Sequence, residues 1–134
     1  MLPHPKIAIH LSLTGVVAVA LAASSAAAFA ADPAQEVATA ATHAGFAAQA
    51  ATLEQAHMHL HHTVNCLVGP KGQGFDPNEA NPCQKLGEGA ISDTSDATAK
   101  AKLNRALANA EGGLKSDDLT AAKKAATETQ LILK

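Results

Sequence analysis

Asp32-Pro33-Ala34-Gln35 opens a run that continues, mostly in Ala, Gln, Glu, Leu and His, to His57-Met58-His59-Leu60-His61-His62-Thr63-Val64-Asn65-Cys66-Leu67. Asp32 is an N-cap residue, Pro33 fits the first helical position, where an N–H is not needed, and Gln35 stands three residues after the cap. Beyond this start only Gly45 weakens the helix before Gly69-Pro70 stops it. The expectation is one long helix over about 33–67, with any bend at Gly45.

Beyond Gly69-Pro70, Gly72, Gly74, Pro77, Pro82, Gly87 and Gly89 keep about 68–92 irregular, with at most a turn of helix between Pro77 and Ala80. A second helix is expected over about 94–111, starting after Ser92 or Asp93 and ending at Gly112-Gly113. Its inward stripe is Leu103, Ala106, Leu107 and Ala110. A third, over about 117–133, takes Ser116 as cap, Asp117-Asp118 at its positive end and Lys123-Lys124 further along. The short link between the last two makes them an antiparallel hairpin. The fold class is therefore all-α: an up-and-down bundle of three to four helices with a Gly/Pro loop.

Upstream, residues 1–30 read as a cleaved secretory signal peptide. Lys6 lies in a short n-region, an apolar run spans Leu11 to Ala23, and Ala28-Phe29-Ala30 offers small residues for cleavage. Ser12, Thr14 and Gly15 make the run too short and too polar for a membrane span. One domain, 31–134, remains, and its destination is the periplasm or the exterior.

Composition limits what that domain can be. Apolar residues make up 47 % of the chain, but alanine supplies much of this and Trp and Tyr are absent. Alanine buries little area, so the helices must sit close together and further fastening is needed. Twelve acidic residues against ten basic ones exclude a nucleic-acid surface. The two cysteines, Cys66 and Cys83, suit a disulfide in an oxidising compartment, worth about 3 kcal/mol in the chain-entropy picture. The competing reading makes them thiolate ligands beside His59 and His62, which share a helical face with Cys66.

The histidines are the chemical content of the chain. Glu54, His57, His61 and Asn65 fall on one stripe of a helix and make half of a metal site. His59 and His62 point around the other side, towards a second ion, solvent or another subunit. His43 lies roughly 20 Å from His57 along a continuous axis and cannot join one ion with it unless the helix breaks near Gly45. The plainer reading of His57 and His61 is a polar seam satisfied by carbonyls or water.

Catalytic patterns are missing. Glu54-x-x-His57 matches half of a di-iron motif, but there is no second pair. No nucleophile turn, phosphate loop or covalent-haem motif occurs, and too few large side chains exist to line a haem pocket. A nitrogen or nitrogen–oxygen site for copper, nickel or zinc asks least of the scaffold, with copper first in the affinity order.

With histidines at helical spacing over His43 to His62 and an Ala-rich hairpin over Ala106 to Leu119, the chain resembles the small exported histidine-rich metal-binding helical bundle proteins of bacteria. That resemblance implies binding and buffering of a divalent metal, with His57 and His61 as ligands. The expected function is an exported, non-catalytic transition-metal-binding protein, free of the membrane after signal cleavage. A homodimer would complete a site that one helix leaves unfinished. The alternative is a structural or interaction module of the cell envelope whose histidines respond to pH near 6.

Overall fold

The computed structural model describes residues 30–134, and every regular element among them is helical. These are α1 (Pro33–Ala48), α2 (Leu53–Val68), the single turn α3 (Ala90–Asp93), α4 (Ala97–Leu114) and α5 (Leu119–Leu133). The expected signal peptide lies, Ala30 apart, outside the described residues. No helix among the described residues is long and apolar enough to cross a membrane.

The run from Asp32 to Leu67 is two helices, which corrects the single helix expected over 33–67. Asp32 caps α1 as anticipated, accepting the Gln35 N–H at 2.9 Å. A second start follows at Thr52, whose hydroxyl accepts the Gln55 N–H at 3.2 Å while the Gln55 side chain accepts the Ala51 N–H at 3.1 Å. This near-reciprocal capping pair opens α2. The α1 end closes tightly, with the Gln49 and Ala50 N–H groups bonded to Phe46 and Ala47 carbonyls. Lys123 of α5 then donates to the Ala50 carbonyl at 3.0 Å. Gly45 is not a bend: it lies within α1, where the Gln130 side chain of α5 crosses it and bonds the Ala41 carbonyl.

Three further boundaries differ from expectation. α4 starts at Ala97 rather than after Ser92 or Asp93, because those two residues belong to the turn α3 and Asp96 is the cap, accepting the Ala99 N–H at 2.7 Å. Asp118, not Ser116, caps α5, accepting the Ala121 N–H at 2.7 Å, while Ser116 accepts the Asp118 N–H in the preceding turn. α4 runs through Gly112-Gly113 to Leu114. Gly113 is there for approach, because a Cβ on it would stand 2.8 Å from Leu60 Cδ1 and 3.1 Å from Ala125 Cβ.

The four long helices pack side by side, α1 against α2 and α5, and α4 against α2 and α5. Alanines 40, 44, 47, 56, 106, 110, 122 and 126 are all fully buried, and the larger core residues Leu60, Val64 and Leu67 come from α2. Small side chains let the helix axes approach, and Thr63 of α2 reaches the Ala40 carbonyl of α1 at 3.3 Å.

Cys66 and Cys83 are joined in a disulfide, so neither sulfur is a thiolate ligand. The segment between them is held from α2 by Asn65. This residue, read from sequence as the end of a polar stripe, is fully buried. Its amide donates to the carbonyls of Asp76 (3.0 Å), Glu79 (3.4 Å) and Ala80 (3.1 Å), and its oxygen accepts the Asp76 N–H at 2.9 Å. One side chain thus satisfies the backbone of the loop and holds it against α2.

Candidate metal centre

Folding α1 back along α2 brings His43 opposite His59 and His62, three residues apart on the facing helix. The Nδ1 atom of His43 stands 3.4 Å from Nδ1 of His59 and 3.3 Å from Nδ1 of His62. One ligand atom from each of the three residues lies within 4.8 Å of the other two, a cluster capable of holding a metal ion. It is the one such group of three or more among the described residues. The rings pack edge to face or tilted, and the half-exposed Phe46 covers one side, 5.6 Å from the His43 ring and 5.3 Å from the His59 ring.

The electrostatics favour neutral rings. Burial lowers His43 to about 4, with His62 and His59 pushing the same way. Burial also lowers His59 and His62; on His62 the neighbouring His59 adds to the effect and Glu79 opposes it. Three neutral imidazoles present three lone pairs that need not shed protons to bind a cation near neutral pH. Without a cation each close Nδ1 pair needs a proton at one end and a lone pair at the other, and His43 must serve two neighbours through one nitrogen. A metal ion uses all three lone pairs at once.

Geometry also bears on the kind of ion. Zinc–nitrogen bonds of about 2.0 Å at tetrahedral angles hold ligand nitrogens about 3.3 Å apart, whereas neighbouring corners of a square at that bond length stand about 2.8 Å apart. The two His43 edges match the tetrahedron.

The residues expected to form the site are placed differently. His57 Nε2 is 3.0 Å from the Ser116 carbonyl, tying α2 to the α4–α5 turn. His61 Nδ1 lies 3.7 Å from Asp76 Oδ2 and makes no hydrogen bond. Glu54, His57 and His61 do share a groove, with Met58 and Glu79, but their side chains are not among the converging ones. His59 and His62 meet His43 instead. The missing signal was Thr52-Leu53-Glu54-Gln55, a capping sequence whose recognition folds the run in half and brings His43 to His59 and His62.

In comparisons with protein-family models, curated proteins and solved structures, nothing matched this chain. Its own fold and site define it as an all-helical, disulfide-bridged protein with a three-histidine cluster across its first two long helices.

Proposed function

We propose that this is an exported metal-binding protein that holds a divalent transition ion, zinc by geometry, at His43, His59 and His62. The observation that carries the reading is the convergence of the three rings, with His43 Nδ1 3.4 Å and 3.3 Å from the Nδ1 atoms of His59 and His62, the separation expected between tetrahedral ligands. Three protein ligands leave a fourth position for water or an incoming ligand, and an ion so held is open to exchange, which suits buffering or handing on rather than permanent structural use. Copper(II) binds nitrogen sites more strongly in general, and a tetrahedral set of imidazoles narrows that advantage by denying it a square arrangement. The bridged cysteines support export, since disulfides persist in oxidising compartments.

The pH-responsive interaction module gains nothing from these histidines. Their burial moves the protonation of His43 down to about 4, away from the range near 6 in which such a module would respond.

The test is titration of untagged apo protein with Zn(II) against a chromophoric chelator. One ion per chain is expected, with affinity falling about 100-fold or more in His43→Ala, His59→Ala and His62→Ala and unchanged in His57→Ala and His61→Ala. Absence of uptake, or uptake indifferent to His43→Ala, would overturn the proposal.

A further inference from the structure

Metal-bound histidines have a second ring nitrogen, and what that nitrogen touches decides how firmly the first is aimed. His62 has such a neighbour. Its Nε2 lies 3.7 Å from Glu79 Oε2, with the His62 side chain 12 % exposed and that of Glu79 33 % exposed. Its other ring nitrogen, Nδ1, is the atom turned towards His43.

Glu79 comes from the irregular segment between α2 and α3, and three features hold it against α2. The Cys66–Cys83 bridge closes the segment one helical turn beyond His62. Asn65 binds the carbonyls on either side of, and at, residue 79. Asp76, at the near end of the same turn, caps it by accepting the Asn78 N–H at 2.9 Å. The loop therefore delivers a carboxylate to the back of one triad ring as a consequence of its own fastening.

We infer that Glu79 is a positioning residue for the metal centre, holding His62 as the tautomer with its proton on Nε2 and its lone pair on Nδ1, directed at the ion. The inference rests on the three-histidine metal site proposed above. A carboxylate is an obligate acceptor, so it favours the proton on the nitrogen facing it. Metal on Nδ1 withdraws electron density from the ring and makes the Nε2 proton a stronger donor, drawing the pair from 3.7 Å towards hydrogen-bond length. His61 stands at the same 3.7 Å from the Asp76 carboxylate but lies outside the triad, so its removal supplies the control.

Two measurements on full-length protein test this. In the apo state, long-range proton–nitrogen spectra of labelled protein read the His62 tautomer directly. The Nε2–H form should dominate in the parent and give way to a mixture in Glu79→Ala. With Zn(II) alone as the probe, Glu79→Ala should weaken binding about tenfold. Glu79→Gln, which keeps an acceptor oxygen without the charge, should recover part of that loss, and His61→Ala, at a ring outside the triad, should leave affinity unchanged. Glu79 contributes its backbone carbonyl, not its side chain, to the Asn65 clamp, so circular dichroism should show these variants folded. If the parent binds Zn(II) and Glu79→Ala matches it in affinity and tautomer, the role of Glu79 falls while the metal site stands. If the parent binds no Zn(II), the site itself falls.

Discussion

Glu36 is a fully buried carboxyl group in α1, with one oxygen accepting the Gly89 N–H at 3.1 Å and the other unpartnered. Burial pushes it up to about 7; the Gly89 N–H pulls the other way, and the Asp93 and Asp32 carboxylates add to the rise. A carboxyl whose folded value exceeds its unfolded one binds its proton more tightly in the fold. Its stabilising contribution is complete below 4.5 and is lost as pH rises through about 7. His43 acts in the opposite sense, its contribution being present above 6.5 and lost as pH falls towards 4. Glu36→Gln separates the two, because the amide mimics the protonated acid. Denaturant unfolding should show little difference between parent and variant near pH 4.5, and an advantage for Glu36→Gln growing to the order of 2 kcal/mol at pH 8. A constant difference across that range would mean that Glu36 does not titrate within the fold.

Among the elements, α4 carries neighbouring glycines with opposite consequences. Nothing lies within 4 Å of a Cβ placed on Gly112, so Gly112→Ala keeps the helix-propensity gain and should stabilise by about 0.5–1 kcal/mol. At Gly113 the same methyl meets the buried Leu60 side chain and Ala125, and crowding outweighs propensity; Gly113→Ala should cost about 1–2 kcal/mol. Thermal melts of the two single variants check the sign directly. This contrast explains why Gly112-Gly113 misled as a stop signal: glycine is equally suited to ending a helix and to letting another helix come close, and composition alone does not separate the uses. Caps were partly legible. Asp32 acts where the sequence places it, whereas Asp96 opens α4 in place of Ser92 or Asp93, which are taken up in the turn α3, and Asp118 displaces Ser116 because the latter's hydroxyl is engaged in the turn before the helix.

At the scale of the whole molecule, the helical character and the Cys66–Cys83 bridge were legible because apolar spacing and compartment act locally or through a single pairing. The three-histidine cluster is harder to read because it depends on which helix faces which. Read as one rod, the run to Leu67 keeps His43 far from His59 and His62; the link Gln49–Thr52 folds that rod and makes the distance a contact. Spacing alone offers His59 and His62 as candidates and admits His43 only where the helix breaks. The break occurs a few residues after Gly45, at a threonine cap rather than at the glycine.

The short path between the three histidines also bears on the order of folding. They are separated by only 16 and 19 residues, and all belong to one hairpin, whereas the contacts that dock α5 on α1 span as many as 89. Closing a short loop costs less chain entropy than closing a long one, so the pair of helices can meet before the rest of the chain arrives. An ion captured at that stage would tie them together early. Stopped-flow refolding should therefore be faster in Zn(II) than in chelator, with the acceleration lost in His43→Ala; an ion that only slowed unfolding would have joined after the rate-limiting step.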